Sequence, residues 1–275
     1  MALSYFASVQ APAAHTPSFN EVSRNANIPT GTKVFFALMH VDVATTSGIT
    51  APSYVRLNGV NMTLIAQHVN SASGQGAFLY KYENPPEGAS NTLTAMHTTN
   101  AFFMTGVSVI ATGSVTIGFG TSVATTATTF SCTISSTAAG DSVFFIASNN
   151  SGNTSVSGNS GTVNLVIATP DNNGASTIWR KPSSASSTTG NWTQTASNRT
   201  SIIPITLLES SSSVRALVLT NGELGLITDA QVGTGKKPVV LLSGDLKERA
   251  ASEGLSLTLS DGVIRQLATD ETLII

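Results

Sequence analysis

The sequence predicts an all-β protein: an antiparallel, jelly-roll-like sandwich followed by a small β-hairpin domain. Charged residues make up only 10% of the 275 residues, whereas hydrophobic residues make up 41%. An ordinary soluble domain has about 25% charged residues, so helix-favouring Glu and Lys are scarce here and long surface helices are not expected. Short apolar runs recur between turn residues with no helical period between them, which is typical of strands.

The first strands are predicted around one strong turn signal. Residues 33–41 form a near-continuous apolar run, which indicates a central strand buried on both faces. Residues 54–57 and 62–66 flank Asn58-Gly59, a dipeptide that favours the tight turn of a hairpin. Residues 77–82 alternate, and the prolines that follow are expected to end this strand because proline cannot donate to a ladder.

The later strands continue the same spacing. Further strands are predicted at residues 92–96, 102–110, 141–147, 161–167 and 202–208. Polar loops over residues 148–160 and 182–191 are expected to project from the ends of the sandwich. About ten strands at this spacing favour a jelly-roll-like sandwich over a small immunoglobulin one.

The composition changes after Glu209, where a run of four serines begins. We therefore predict two domains, a β-sandwich over residues 1–209 and a small β domain over residues 214–275. Two segments of the tail repeat one pattern, in which an alternating strand, a turn at Asn221-Gly222 or Asp261-Gly262, and a second strand follow one another. A tail of hairpins buries little core alone, so it is expected to borrow one from its neighbours.

Apolar residues of the tail are the candidate contact residues. The two hairpin repeats leave exposed edges and one-sided apolar rows, and the chain ends on an apolar terminus. Closed symmetry among copies would bury rows and edges together, which predicts an oligomerisation or docking module. The candidates are Leu217, Leu219, Leu224, Leu257, Leu259, Ile264, Leu273 and Ile275.

The sequence indicates no catalytic, cofactor or metal site. Its four histidines show no metal-ligand spacing, and the carboxylates of the first domain lie beside turn residues or at strand ends. The single cysteine, Cys132, lies in an alternating run and is interpreted as a small buried hydrophobe. We therefore expect a protein that is not an enzyme and binds no cofactor.

Aromatic residues supply the candidate ligand contacts. Trp179 and Trp192, with Tyr80 and Tyr82, are candidates for stacking on a sugar, although strand Trp and Tyr are more commonly core residues. A net charge of −2 without a basic stripe argues against nucleic acid as a partner. No apolar stretch approaches the roughly 18 residues of a membrane span, and no signal peptide is evident, so synthesis in the cytoplasm without membrane insertion is expected.

The order of these segments resembles a β-sandwich family that recurs in bacteriophage structural proteins and bacterial surface proteins. The resemblance rests on the hairpin over residues 55–65, the Asn-Pro-Pro-x-Gly sequence from Asn84, the Gly-Asp-x-Val sequence from Gly140, and a later tryptophan-containing strand. It covers most of residues 20–208. Residues 261–273 are similar to short β modules of phage tail and head-appendage proteins.

The resemblance implies a non-enzymatic virion protein of a tailed bacteriophage, either a capsid decoration protein or a head fibre. Its implied partners are further copies of itself, as a homotrimer, and other virion proteins such as major capsid or tail proteins. The alternatives are a tail-fibre or baseplate appendage and a carbohydrate-binding adhesive module that attaches to host-surface glycans. A polysaccharide-cleaving enzyme is a third, weaker possibility.

Overall fold

The computed structural model describes most of residues 3–210 and six short strands of the tail. The described ranges are 3–9, 21–42, 49–70, 74–97, 101–135, 140–149, 156–158, 161–167, 174–183, 187–195 and 199–210, with tail strands between residues 215 and 267. The chain divides into two compact units, Met1–Ser210 and Ser211–Ile275, within the serine run noted above. No helix occurs in the described ranges, and the predicted all-β class is confirmed.

In the first half of the larger unit, the N-half, the described residues form a sandwich of nine strands. They are β1 (Ser4–Val9), β2 (Glu21–Ile28), β3 (Thr32–Asp42), β4 (Tyr54–Leu57), β5 (Val60–Asn61), β6 (Thr63–Asn70), β7 (Gln75–Glu83), β8 (Gly88–Met96) and β9 (Ala101–Ile110). The inner sheet has the order β1-β9-β3-β7-β6, and the outer sheet has the order β2-β8-β4-β5.

The predicted Asn58-Gly59 hairpin is confirmed, but it is short. Both residues have positive φ, 50° and 81°, and Leu57 pairs with Val60 across the turn. After Asn61 the chain leaves the outer sheet, passes Met62, and continues as β6 beside β7 in the inner sheet. One stretch of extended chain therefore joins the two layers.

The described residues of the second half, the C-half, form nine more strands. They are β10 (Ser114–Phe119), β11 (Val123–Thr125), β12 (Thr129–Ser135), β13 (Gly140–Asn149), β14 (Val156–Gly158), β15 (Val163–Ile167), β16 (Gly174–Ser183), β17 (Ser187–Gln194) and β18 (Thr200–Ser210). Its inner sheet has the order β10-β18-β13-β16-β15, with β11 also paired to β18, and its outer sheet has the order β12-β17-β14.

The two halves repeat one topology. The order β1-β9-β3-β7-β6 corresponds strand for strand to β10-β18-β13-β16-β15, and β2-β8-β4 corresponds to β12-β17-β14. In each half, successive strands are shared between two antiparallel sheets and the first strand pairs with the last, which is the winding of a jelly roll. The predicted jelly-roll-like sandwich is therefore present twice, rather than once as expected.

The central strand of each half carries the same short sequence. Residues 31–36 read Gly-Thr-Lys-Val-Phe-Phe, and residues 140–145 read Gly-Asp-Ser-Val-Phe-Phe. In both copies the first phenylalanine packs in the core of its own half, and the second packs in the core shared by the halves. The second pair, Phe36 and Phe145, meet edge to face with ring centroids 5.7 Å apart.

Three hydrophobic cores separate four layers of sheet. The central core lies between the two inner sheets, and each half has a further core between its inner and outer sheet. The inner sheets are therefore covered on both faces. This confirms the expectation for residues 33–41, whose strand β3 contributes Phe36 and Leu38 to one core and Phe35 and Met39 to the other.

Pro204 lies inside β18, a strand with neighbours on both sides. On one side β10 ends opposite Ile205 and β11 begins opposite Ile202, so the ladder is broken at Pro204. The carbonyl of Pro204 accepts a hydrogen bond from Gly120 N at 3.0 Å on this side. Because the N and C=O of a strand residue point the same way, the missing N–H faces the break and costs no ladder hydrogen bond.

The loop predicted over residues 182–191 is wrong in its second part, where β17 begins at Ser187. This strand alternates strictly, with Thr188, Gly190, Trp192 and Gln194 directed inward. Only one of these four side chains is a large apolar group, so hydrophobicity alone conceals the alternation. Its partner β14 likewise lies inside the loop predicted over residues 148–160.

The described residues of the smaller unit form three antiparallel hairpins, and two of these confirm the hairpins predicted in the tail. Its strands are β19 (Arg215–Val218), β20 (Leu224–Ile227), β21 (Lys236–Val240), β22 (Leu246–Ala250), β23 (Leu255–Thr258) and β24 (Ile264–Leu267), paired in that order. The two repeats share one register, because Val218 pairs with Leu224 and Thr258 with Ile264.

Candidate functional site

The two tryptophans proposed for ligand stacking are core residues of the C-half. Trp192 has no exposed surface, lies 5.8 Å from Phe130 in a stacked arrangement, and contacts Phe144 edge to face at 4.9 Å. Trp179 is buried, and its Nε1 donates to Thr177 Oγ1 at 3.1 Å. A stacking platform needs an open ring face. Neither indole has one in this arrangement.

The candidate contact residues of the tail fall into two groups. Leu217, Leu224, Leu257 and Ile264 lie in the paired strands of the two repeated hairpins. The other four lie outside the described residues; they are Leu219, Leu259, Leu273 and Ile275. Burial of these residues against another chain stays a prediction.

The tyrosines that sequence analysis grouped with the tryptophans line a groove in the N-half. Tyr80 and Tyr82 lie two residues apart on β7 and so share one face of the strand. Tyr80 lines a depression of about 280 Å³ together with Tyr54, Met62 and Leu64. Tyr82 lines a second depression of about 350 Å³. The two depressions meet at Asn61, which lines both.

The groove exists because the chain changes sheets early. The outer-sheet strands here are short, with four residues in β4 and two in β5, whereas β6 and β7 have eight and nine. The outer sheet therefore leaves part of the inner sheet uncovered beside the crossing at Met62. Asn61, the last residue of the short strand, lines both depressions.

Arg56 holds the side chain of Asn61. The Arg56 guanidinium lies 4.0 Å from the centroid of the Tyr54 ring, and its Nε donates to Asn61 Oδ1 at 2.8 Å. Since the amide oxygen accepts this bond, the amide Nδ2 of Asn61 is directed away from Arg56 as a donor. The Tyr54 hydroxyl in turn donates to the Glu21 carboxylate.

Charged and phenolic groups complete the lining of the groove. Lys81 Nζ lies 2.5 Å from Glu83 Oε1, and both residues line the second depression. Burial raises the pKa of Tyr80 to about 12, and the hydrogen bond to Glu21 raises the pKa of Tyr54. Both phenols therefore keep their protons at neutral pH and act as hydroxyl groups.

Asparagine side chains fix the turn that borders the groove. Asn58 Nδ2 donates to Asn91 Oδ1 at 2.6 Å, while Asn58 Oδ1 accepts from Thr92 N at 2.7 Å. Asn91 Nδ2 then donates to Gly88 O at 2.7 Å. The Asn58 side chain thereby ties the turn to β8 by two hydrogen bonds, which restricts the movement of Val60 and Asn61.

At the corresponding position of the C-half, the described residues fill the site instead of leaving a groove. Tyr82 pairs with Phe35 and Trp179 pairs with Phe144, so the repeated Phe-Phe sequence makes Tyr82 and Trp179 equivalent. The Trp179 ring fills its site closely, because a Cβ atom at Gly158 would lie 2.6 Å from it. Tyr82 is only half-buried.

A second polar cluster joins the two halves. Asp141 Oδ2 accepts from Tyr5 Oη at 2.8 Å and from Arg180 Nη1 at 3.2 Å. The Arg180 guanidinium also lies 5.4 Å from the Tyr5 ring centroid. Burial, followed by the Asp141 charge, raises the pKa of Tyr5 well above its usual range. Tyr5 of the N-half and Arg180 of the C-half share the Asp141 carboxylate, so this cluster is a clamp between N-half and C-half.

Other candidate groups have structural surroundings. Cys132 is buried in the C-half core, and burial raises its pKa to about 11, as suits a small core residue. His40 is fully buried at the central core, with its Nε2 3.4 Å from Gln75 Nε2. Within the described ranges, no three His, Cys, Asp or Glu side chains cluster as a metal site would require, and no helix suited to crossing a membrane is found.

Comparisons with protein-family models, with curated proteins and with solved structures gave no match to this chain. Function is therefore inferred from the doubled sandwich, the groove and the hairpin unit.

Proposed function

We propose that this chain is a non-enzymatic structural protein of a tailed-phage virion, displayed on the capsid as a decoration protein or head fibre. The observation that carries the proposal is a doubled jelly roll joined through a serine run to a separate unit of hairpins. Jelly rolls recur in viral capsid proteins and in lectins, and the proposal rests on this similarity of fold. The Ser- and Thr-rich, weakly charged composition agrees with an exterior surface.

The doubled sandwich is suited to display. Its two inner sheets are covered on both faces, and the central core and the Asp141 clamp tie the halves together. A body of this kind presents two outer sheets and several loops without relying on movement between its halves. In the proposed role it is the exposed part of the protein.

The hairpin unit is the proposed attachment device. A single two-stranded hairpin is marginally stable in water, and its unpaired edges favour pairing with another chain. Three such hairpins in sequence gain most from association. The proposed partners are two further copies of the chain, giving a homotrimer, and a major capsid or tail protein of the same virion.

The oligomeric part of the proposal is tested by light scattering on the full chain and on a chain ending at Glu209. We expect trimers of the full chain and monomers of the shortened chain. If both are monomers at micromolar concentration, the tail is not a self-assembly device, and docking onto a different virion protein becomes the better account.

Location is tested by antibodies raised against residues 1–209. Labelling of the heads of purified virions from the host that carries the gene is expected. Labelling confined to the tail would favour the alternative, a tail-fibre or baseplate appendage. Labelling of the cell surface with none on particles would contradict the virion role and favour a bacterial adhesive module.

A further inference from the structure

We infer that the groove beside Asn61 is a binding site for a neutral glycan. The site lies in the N-half, between the β4-β5 hairpin and β7, and does not include Trp179 or Trp192. Its two depressions, about 280 and 350 Å³, adjoin at Asn61 and are both open to ligand. The inference goes beyond the virion role and does not depend on it.

The lining combines the two kinds of contact that a sugar ring offers. Met62, Leu64 and Val60 supply apolar surface, and Leu64 and Val60 are exposed although they are large hydrophobic residues. Tyr54 and Tyr82 supply aromatic surface, suited to the C–H groups of a pyranose. Binding sites of small ligands characteristically combine such surface with a few placed polar groups.

The polar groups are placed by contacts outside the ligand space. Arg56 orients the Asn61 amide, so the Nδ2 donor is directed before any ligand arrives. Asn58 and Asn91 fix the neighbouring turn. Because little ordering remains to be done on binding, the entropic cost of association is reduced.

The charges of the groove favour a neutral ligand. Lys81 is paired with Glu83, and the Arg56 cation lies over Tyr54, whose hydroxyl donates to Glu21. Two cations and two carboxylates therefore compensate one another around the site. An acidic glycan would have to displace Glu83 from Lys81, whereas sugar hydroxyls can donate to Glu83 and accept from Lys81 without breaking the pair.

The test is a glycan array probed with the full chain, covering neutral and acidic oligosaccharides of bacterial and animal surfaces. Any neutral oligosaccharide that is bound is then titrated by isothermal calorimetry. Asn61→Ala removes the oriented donor and is expected to weaken binding at least tenfold. Thr63→Trp, at an exposed edge position of the second depression, is expected to abolish binding by filling it.

Asn191→Ala is the matched control, since Asn191 is an exposed asparagine on a strand of the C-half. It should bind as the parent chain does, and all three variants should keep the parent melting temperature. The proposal is overturned if the array shows no neutral glycan, if only acidic glycans bind, or if Asn61→Ala and Thr63→Trp bind with the parent affinity. None of these outcomes would alter the tests of virion location or oligomeric state.

Discussion

The N-half and the C-half have the same strand order but differ in what fills equivalent positions. In the N-half, Met39 pairs with Met104, and both belong to an apolar core. The same register positions in the C-half hold Ser148 and Thr200, which also pair. Their hydroxyls both donate to Gln194 Oε1, at 3.1 and 3.0 Å. The same topology thus accepts either apolar side chains or hydrogen-bonded polar side chains at these core positions.

A second difference concerns one aromatic position, which is Tyr82 on β7 and Trp179 on β16. Trp179 is buried in the C-half, whereas its equivalent Tyr82 remains half-exposed in the groove of the N-half. At this position the C-half is the more closed sandwich, and the N-half carries the groove that we propose as a glycan-binding site. Duplication of a fold allows such a difference, because one copy can open at a site that the other copy keeps closed.

The largest expected effect tests whether the halves share one core equally. Phe36→Ala and Phe145→Ala each remove a fully buried ring at equivalent positions. Each is expected to lower the free energy of unfolding by about 3–5 kcal/mol, the usual cost for a core phenylalanine. Urea unfolding of each variant measures it, and the double variant should cost less than the sum because the rings touch. A cost below about 1 kcal/mol for either variant would show that the halves do not depend on each other.

The next effect tests the clamp, which the repeat does not duplicate. Asp141 corresponds to Thr32 in the shared sequence, and the Thr32 hydroxyl donates to Pro29 O at 2.7 Å, a contact within the N-half. Asp141→Ala leaves Tyr5 and Arg180 without their shared acceptor and is expected to cost about 2 kcal/mol. Thr32→Ala is the matched control, with about 1 kcal/mol expected. Equal losses of stability in the two variants, measured by thermal or urea unfolding, would mean that the clamp stabilises the contact between the halves no more than a local hydrogen bond does.

A third prediction tests the polar filling of the C-half. Gln194→Ala removes the acceptor that Ser148 and Thr200 share and also the donor to Ala127 O. We expect a loss of about 1–3 kcal/mol, since buried polar groups are left with fewer partners. The same substitution combined with Ser148→Ala and Thr200→Val should recover part of this loss, because polar groups are then removed together. A further loss of stability in the triple variant, measured by urea unfolding, would contradict the interpretation.

The smallest effect concerns the connection between the halves. Glu209 Oε1 accepts from Thr112 N at 2.8 Å and from Gly113 N at 3.0 Å, and chiefly the Gly113 bond lowers the pKa of this carboxyl. A carboxyl whose pKa is lower in the folded state stabilises the fold above its ordinary pKa, and this contribution is lost as pH falls through the lowered value. Glu209→Gln should therefore show a shallower loss of melting temperature below pH 4.5 than the parent chain. Identical acid profiles would assign the acid sensitivity to other carboxyls.

Sequence reasoning located strands wherever apolar residues cluster, as in β3, β7, β9 and β13, because burial on one or both faces leaves a direct pattern. It assigned the first part of β17 to a loop, because the inward positions of this strand are mostly polar or glycine. It also missed the duplication, although the Val-Phe-Phe sequence at residues 34–36 and 143–145 was a usable signal. Reading those two segments against each other would have predicted two sandwiches.

The candidate site was only partly predictable. The Asn58-Gly59 turn could be read locally, because its positive φ values suit these two residues. The sheet change at Met62 could not, since it depends on pairing with β7, which is distant in sequence. The same non-local pairing places Tyr80 and Tyr82 in the groove and the two tryptophans in the core of the C-half, although all four side chains are aromatic.

The position of β18 has a mechanical consequence. This strand is the last of the larger unit, so a pull on the chain beyond Ser210 enters the sandwich through it. It is hydrogen-bonded to β13 on one side and to β10 and β11 on the other. Antiparallel ladder bonds lie across the strand direction, so a load along β18 strains many of them at once instead of opening them one by one. A force directed along β18 thus loads the larger unit in shear, and many ladder hydrogen bonds share the load.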